Sequence, residues 1–307
     1  RTGRQWKRCL RFHMVLNESS FSGIILKCLG GLYTVESPDG IFECKARGIF
    51  RSKGISPSVG DRVTVSGGVI SEIGERKNYL IRPPLANLDQ LIFIVSTVSP
   101  SPNYLILDKF IAIAEYKGIE PVVVITKTDL GDSSDLQAVY GGIGIKGMEV
   151  DYSDESSIEA VREVLRGKIS AFTGNSGAGK STLLNAVDST LNIPTGEISK
   201  KLGRGRHTTR HAELYKLKDG GYIADTPGFS TFETARYDII RKEELAGCFR
   251  EFEGITDNCR FRDCSHTCEK GCAVLEAVEA GEIPKIRHES YCAMYEEAKQ
   301  LKEWELK

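Results

Sequence analysis

Long apolar runs are absent from this sequence. Stretches such as Leu91 to Val95 and Val122 to Ile125 fall far short of the roughly 20 residues that a helix needs to cross a bilayer, so we expect no membrane segment. An excess of one charge is lacking too, since 41 Lys and Arg stand against 42 Asp and Glu. This balance excludes the overall positive field of an indiscriminate nucleic-acid binder. Any RNA contact must come from local patches.

Cysteine is too sparse for a secreted disulfide scaffold. Nine cysteines occur in 307 residues, and five of them lie between Cys248 and Cys272. With no signal peptide preceding them, we expect a reducing cytoplasm and one metal site. Residues 1–13 carry five Arg or Lys and no acid, followed by Met14. We interpret them as a basic leader or disordered tail, with an RNA-binding arm as the alternative.

Short β-rich runs separated by turn residues occupy the first part of the chain, residues 14–84. The expected strands are Ile24 to Leu29, Leu32 to Glu36, Ile41 to Arg47, Val63 to Val65 and Val69 to Ile73. Five such strands suffice for a small barrel of the OB type, whose open face commonly holds oligonucleotides. A barrel that only packs on its neighbour is the alternative.

After a stiff hinge at Arg82-Pro83-Pro84, buried strands alternate with amphipathic helices as in a doubly wound parallel sheet. We assign residues 85–236 to this α/β domain and 237–307 to a mainly helical, Cys- and His-rich domain. The expected elements are strands Asp89 to Thr97, Pro121 to Thr126 and Ile169 to Thr173, and helices Tyr104 to Lys117, Ser156 to Leu165 and Ser290 to Lys307.

A glycine-rich segment follows the third of these strands and opens a helix. It contains Gly174, Asn175, Ser176, Gly177, Ala178, Gly179, Lys180 and Ser181, with Thr182 next. This spacing is that of a P-loop, whose backbone N–H groups surround phosphate oxygens. Lys180 would bridge the β- and γ-phosphates, and Ser181 would bind Mg²⁺.

Two further segments fit a nucleoside triphosphate site. Asp225-Thr226-Pro227-Gly228 follows a strand, which suits an acid that holds Mg²⁺ and a glycine N–H that meets the γ-phosphate. Residues 203–210, which include His207, Thr208 and Thr209, form a loop that can supply a threonine to the metal. Glycines on its flanks suit an order–disorder switch.

Thr126-Lys127-Thr128-Asp129 resembles the Asn-Lys-x-Asp motif that selects guanine. Asp129 would accept hydrogen bonds from the guanine N1–H and amino group, and the Lys127 stem would cover the base. Thr126 departs from the usual Asn. For the fifth nucleotide motif, the sequence offers only Tyr152-Ser153-Asp154.

The guanine motif precedes the P-loop, which is the order of a circularly permuted GTPase domain. A permutation leaves every strand in place because chain termini often lie close together.

These features together resemble the ribosome small-subunit-dependent GTPase A family of bacteria, from about Phe21 to the C-terminus. The permuted order, the Arg-Gly-Arg-His-Thr-Thr loop at 204–209, the barrel and the Cys/His segment carry the resemblance. It implies an OB-fold, a permuted GTPase domain that binds GTP or GDP, and a zinc domain. It also implies action on the small (30S) ribosomal subunit and its 16S rRNA during late maturation. We expect a cytoplasmic monomer that binds neither DNA nor membranes.

Cys259, Cys264, His266 and Cys272 offer three thiolates and an imidazole, which fits a structural Zn²⁺ site. On spacing alone, Cys268 could replace one of them. The family pattern favours the set without it.

Many GTPases place a Gln just after Asp-x-x-Gly to orient the attacking water, but here Phe229 stands there. Slow intrinsic hydrolysis follows, and we take His207 as the first candidate to complete the site when the ribosomal subunit is bound. An RNA-contacting or solvated histidine is the alternative. The basic residues Lys200, Lys201, Arg204, Arg206 and Arg210 on this loop favour contact with rRNA phosphates over a merely solvated charge run.

Two other functions remain open at this point. One is a GTP-dependent regulator of a non-ribosomal protein. The other is a zinc-containing RNA-binding module in which the nucleotide is structural.

Overall fold

The computed structural model of the chain describes residues 20–52, 54–191, 212–225 and 239–301, with only the backbone for Arg51 and Asp225. The predictions for residues 1–13, for the loop with His207, Thr208 and Thr209, and for Gly228 and Phe229 therefore fall outside the described residues.

A five-stranded barrel comes first, as the sequence predicts. Its strands pair in the order β1-β2-β3-β5-β4, and β4 returns to pair with β1, which closes the barrel. Inward-facing residues alternate with outward-facing ones because side chains on a strand point to opposite faces. The elements are β1 (Ser20–Leu29), β2 (Leu32–Ser37), β3 (Gly40–Ala46), α1 (Ile49–Ser52), β4 (Arg62–Ser66) and β5 (Val69–Ile73).

A short hairpin connects the barrel to the α/β part. Its strands, β6 (Tyr79–Leu80) and β7 (Leu85–Ala86), pair around the predicted hinge at 82–84.

The α/β part is a doubly wound sheet with helices on both faces. Five strands run parallel in the order β10-β9-β8-β11-β13, and β12 is antiparallel to β13. One hydrophobic cluster contains residues of α2 and α3, and a second contains residues of α4 and α5. The strands are β8 (Gln90–Ser96), β9 (Glu120–Thr126), β10 (Lys146–Glu149), β11 (Ile169–Gly174), β12 (Glu213–Lys216) and β13 (Tyr222–Asp225). The helices are α2 (Tyr104–Tyr116), α3 (Ser134–Gly142), α4 (Glu155–Leu165) and α5 (Lys180–Val187).

Strand β1 joins the barrel to this sheet. Its first half pairs with β4, and beyond an irregularity between Ile25 and Lys27 it pairs with β12 through Lys27 and Glu213. A bulge bends a strand and increases its twist, which allows β1 to leave one partner for another. The barrel and the α/β sheet are thus one continuous sheet of 11 strands.

The C-terminal part is helical, with α6 (Lys242–Leu245), α7 (Ala273–Glu279), α8 (Lys285–Lys299) and three short 3₁₀ turns. The prediction of a helix from Ser290 to Lys307 was wrong at both its start and its end. The helix begins directly after Pro284, which occupies the N-cap, and its first turns carry the buried Arg287 and His288. Charged residues in these turns concealed a buried face. The helix ends at Lys299, and residues 302–307 are outside the described ranges.

A buried ion-pair network holds α8 against α2. The Arg287 guanidinium donates to Asp108 Oδ1 at 2.6 Å and to Glu251 Oε1 at 2.7 Å. The side chains of these three residues are at most 4% exposed. Tyr140 donates to the same Asp108 oxygen at 2.9 Å, and Arg287 also stacks on the Phe249 ring. The network links the C-terminal part to two helices of the α/β part.

No helix in the described ranges is both long enough and apolar enough to cross a membrane.

We predict that Arg287→Met lowers the free energy of unfolding by about 3–5 kcal/mol, because it leaves two buried carboxylates without their cation. Urea unfolding of the full chain measures this. Lys285→Ala is the control, since its ion pair with Glu289 is exposed and such pairs contribute about 0–1 kcal/mol. A loss below about 1 kcal/mol for Arg287→Met would contradict the assigned role of the network.

Candidate nucleotide site and candidate metal centre

The carboxyl ends of the parallel strands bring the predicted nucleotide motifs to one edge of the sheet. Thr126 at the end of β9 pairs with Ser96, and Gly174 at the end of β11 pairs with Ile94 of the same strand β8. The backbone of Asp225 ends the next strand, β13. Ligands of doubly wound sheets bind outside this edge, so the motifs are adjacent although up to about 100 residues separate them in the sequence.

The predicted P-loop turns from β11 into α5. A Cβ on Gly174 would lie 2.4 Å from the carbonyl oxygen of Ile94, so no larger residue fits this turn. Gly179 is the N-cap of α5 with φ 93°, a left-handed conformation that favours glycine, and no side chain caps the helix. A phosphate at this helix N-terminus would face the first turn of α5, where the helix dipole attracts an anion.

Thr126 connects the predicted guanine motif to the predicted P-loop. Its hydroxyl donates to the carbonyl oxygen of Ala178 at 2.7 Å, and both residues are at most 1% exposed. The sequence indicated Thr126 as a departure that loses an amide. The structure shows that the shorter side chain still spans the gap between the two motifs.

Lys127 lies against a loop that the sequence analysis missed. Its ammonium group donates to the carbonyl oxygens of Val98 and Ser99, and its own carbonyl accepts from the Thr97 hydroxyl at 2.6 Å. The loop continues to Pro100, whose ring lies 3.7 Å from the position of a Cβ on P-loop Gly177. Its position directly after buried β8 was the signal that could have identified it.

The segment proposed for the fifth motif also reaches the P-loop. The Tyr152 hydroxyl donates to the carbonyl oxygen of Gly179 at 3.3 Å, and burial raises the pKa of Tyr152 to about 12. Ser153 closes a turn with Asp151, and Asp154 caps α4 by accepting from the Ser156 N–H. Asp129 is exposed at the same edge, where a purine base can reach it.

A second group of predicted residues meets in the C-terminal part. The ligand atoms of Cys259, Cys264, His266 and Cys272 all lie within 4.8 Å of one another. His266 Nδ1 lies 3.5 Å from Cys259 Sγ and 3.6 Å from Cys272 Sγ, and these two sulfurs are 3.9 Å apart. A tetrahedral ion with Zn–S of about 2.3 Å and Zn–N of about 2.0 Å requires edges of about 3.5–3.8 Å. The four donors suit Zn²⁺, and the three distances among Cys259, His266 and Cys272 are close to these edges.

The surroundings favour a metal-binding protonation state of His266. Burial lowers the pKa of His266, so the neutral imidazole with a free lone pair prevails. Burial also raises the pKa of the Cys264 thiol to about 12, so its thiolate needs a nearby cation, which a bound metal supplies. Cys268 is exposed and belongs to no such group among the described residues.

The architecture defines a class of protein. A parallel sheet carries the guanine motif on β9 and the P-loop later in the chain, after β11, while a closed barrel precedes the sheet and a Cys/His centre follows it. This is a circularly permuted GTPase.

The chain belongs to the RsgA GTPase family. The model of that family, described as "RsgA GTPase", matches residues 73–235, and the model of the "RsgA N-terminal domain" matches residues 22–69. The family makes the chain a GTP-hydrolysing enzyme that uses GTP, GDP and Mg²⁺.

Similar proteins support this placement over nearly the whole chain. "Small ribosomal subunit biogenesis GTPase RsgA" of Geobacillus kaustophilus is 44% identical over 291 residues, which cover 91% of this chain and 98% of that protein. The protein of the same name from Streptococcus pneumoniae is 44% identical over 290 residues, covering 92% and 96%. The crystal structure of YjeQ from Thermotoga maritima has a TM-score of 0.78 at 37% identity, covering 92% of this chain and all of that one. YloQ, described as a circularly permuted GTPase, has a TM-score of 0.76 at 36% identity, covering 94% and 98%.

We predict that Thr126→Val weakens GDP binding about tenfold. The change deprives the buried Ala178 carbonyl of its hydroxyl partner, which costs about 1–3 kcal/mol, and this carbonyl shapes the phosphate loop. Titration with a fluorescent GDP analogue measures the affinity. Thr64→Val, on β4 of the barrel, is the control and should leave it unchanged. Equal affinities for the two variants would show that the tie does not support the nucleotide site.

Proposed function

We propose that this GTPase binds the small ribosomal subunit and assists its late maturation, with hydrolysis stimulated by the subunit. The names of the curated relatives, which match across 91–92% of the chain, carry this proposal. The fold supports it because the GTPase sheet lies between two modules that commonly contact nucleic acid, a barrel and a Cys/His centre. We expect the protein to act as a monomer in the cytoplasm, without contact to DNA or membranes.

Each predicted site residue has a role in this proposal. Asp129 selects guanine, Lys127 covers the base, and Thr126 fixes the P-loop, while Thr128 completes the motif. The P-loop backbone from Gly174 to Thr182 surrounds the phosphates, and Lys180 stabilises the charge that develops on them. Ser181, Thr209 and Asp225 would hold Mg²⁺, which would supply positive charge that neutralises the phosphates. The Gly228 N–H would sense the γ-phosphate.

Because Phe229 stands just after Asp-x-x-Gly, we expect the isolated enzyme to hydrolyse GTP slowly. An apolar side chain cannot orient a water molecule, so another group must place it in line with the γ-phosphate. We assign this task to His207, positioned by the bound subunit, with Thr208 and Thr209 beside it in the sequence. The basic residues from Lys200 to Arg210 would contact rRNA phosphates. GTP would favour the subunit-bound state, and hydrolysis would release the protein.

Zn²⁺ is the metal that we assign to the Cys/His centre. Purified protein should contain about one zinc per chain by elemental analysis. Cys272→Ser should lose the metal, because it removes one of four ligands, and its unfolding midpoint should fall, since metal binding contributes to folding. Cys268→Ser is the matched control and should retain both. Loss of zinc in Cys268→Ser instead would show that the ligand set is wrong.

Purified small subunits should stimulate GTP hydrolysis, and this measurement tests the proposed function. We expect at least a tenfold increase in phosphate release under multiple-turnover conditions, since completing a GTPase site from outside has large effects on rate. A non-ribosomal protein that stimulates in place of the subunit, or no turnover at all, would overturn the proposal.

His207→Ala in the same assay should reduce the stimulated rate at least tenfold, because water positioning is lost, while GDP affinity stays unchanged. His211→Ala, on the same stretch of sequence, is the matched control. Full stimulation of the His207→Ala variant would exclude the assigned role.

A further inference from the structure

The hairpin β12–β13 occupies a special place in the chain. Its first strand follows the segment that contains Thr208 and Thr209, and its second strand ends at Asp225, so it connects the two segments expected to contact the γ-phosphate. Glu213 at the start of β12 pairs with Asp225 at the end of β13. The open end of the hairpin, where β12 begins and β13 ends, therefore lies at the nucleotide edge of the sheet, and its turn lies away from that edge.

The barrel contacts this hairpin at the end that lies at the nucleotide edge. Lys27 on β1 pairs with Glu213 in the sheet, and its ammonium group donates to the Glu213 carboxylate at 2.7 Å. Because Glu213 is directly opposite Asp225, this contact is one residue pair away from the predicted Mg²⁺ ligand.

A second contact between barrel and hairpin lies near the turn of the hairpin, away from the nucleotide edge. The Glu36 carboxylate on β2 accepts from the Tyr222 hydroxyl at 2.7 Å and from the Lys216 ammonium group at 2.8 Å. Its side chain is only 14% exposed, and hydrogen bonds to a charged group are about twice as strong as neutral ones. Burial and the Glu36 carboxylate raise the pKa of Tyr222 to about 12, so its hydroxyl remains a donor.

The barrel is closely packed next to the residues that make both contacts. Val35, next to Glu36, and Ile25 are fully buried in the barrel core. A Cβ on Gly23 would lie 2.4 Å from the Glu36 carbonyl oxygen, which shows how closely β1 and β2 approach. Packed cores do not deform continuously, so the hairpin can shift only if the barrel shifts with it or the polar contacts break.

We propose that Glu36 is a positioning residue that couples the barrel to the γ-phosphate site through this hairpin. A γ-phosphate biases the hairpin from one side, and RNA of the subunit on the barrel biases it from the other. RNA contact with the barrel then raises the affinity for GTP relative to GDP, and GTP raises the affinity for RNA by the same factor, since coupling is reciprocal. This inference rests on the proposed function for the identity of the barrel ligand.

Nucleotide affinities of the full chain, with and without purified small subunits, test the coupling. In the wild type the subunits should raise the ratio of affinities for a non-hydrolysable GTP analogue and GDP. Tyr222→Phe and Glu36→Gln should reduce that change at least fivefold, a size typical of allosteric coupling, while GDP affinity without subunits stays within twofold. Lys77→Ala is the matched control, because its ion pair with Asp89 also joins the two parts of the molecule but not through the hairpin. A wild-type response in both hairpin variants would overturn the inference.

Charge reversal separates coupling from simple stability. Lys27→Glu and Glu213→Lys should each lose the response, and the double variant should regain it, whereas uncoupled destabilisation would add up. Failure of the double variant to regain any response would contradict a role of the Lys27–Glu213 ion pair in the coupling.

Hydrogen exchange distinguishes failure of this inference from failure of the proposed function, since it needs no subunit. Amides of β1 and β2 in the wild type should exchange at different rates with GDP and with the GTP analogue, and in Tyr222→Phe this difference should disappear. Identical exchange of these strands in both nucleotide states of the wild type would overturn the coupling. Absence of stimulation by subunits would instead overturn the proposed function.

Discussion

Parallel pairing of five strands is the constraint on which the nucleotide site depends. It places the carboxyl ends of β9, β8, β11 and β13 at one edge, whatever the order in which the chain visits them. A circular permutation can therefore exchange the guanine motif and the P-loop in sequence without moving either in space. The hydroxyl of Thr126 at the end of β9 then joins the two motifs directly, because it donates to Ala178 in the loop that follows β11, on the far side of β8.

Local pattern determined how well the sequence predicted the fold. The barrel strands were identified because alternation and glycine turns are local signals, and the observed bounds differ by only a few residues. Strand β12 was missed because its four residues, Glu213 to Lys216, contain two charges and only one buried residue. It pairs along its length with β13, and its other neighbour in the sheet, β1, lies about 190 residues earlier in the chain, a partner that no local pattern records.

Some residues of the candidate site could likewise be predicted from the sequence, and others could not. The P-loop and the Cys/His group have fixed spacings, so sequence alone selected residues that the structure brings together. The loop from Thr97 to Pro100 has no such spacing and became visible only through its contacts with Lys127 and its approach to Gly177. Spacing alone does not exclude Cys268 from the metal group, because Cys264, Cys268 and Cys272 lie at equal intervals of four residues, and the family pattern that favours the set without it agrees with the group observed.

The C-terminal part is joined to the GTPase part by a different kind of contact from the barrel. The barrel shares backbone pairing with the sheet and adds polar contacts at the surface. The C-terminal part instead places Arg287 between two buried carboxylates, one on each side of the junction. An ion pair of this kind specifies one arrangement, since any displacement leaves a charge without its partner in a medium of low polarity. Both flanking modules are thus joined directly to the GTPase sheet and its helices.

The shared strand β1 also has a consequence for synthesis of the chain. The barrel can close on its own strands once residue 73 is available, yet the part of β1 beyond its bulge finds its second partner only when Glu213 follows, 186 residues after Lys27. Until then a nascent chain carries an unpaired strand edge, which is a template for wrong pairing with another chain. The time for which this edge stays unpaired depends on how far β12 lies from β1 in the sequence. The permuted order therefore determines both how the strands are connected and when, during translation, the sheet becomes complete.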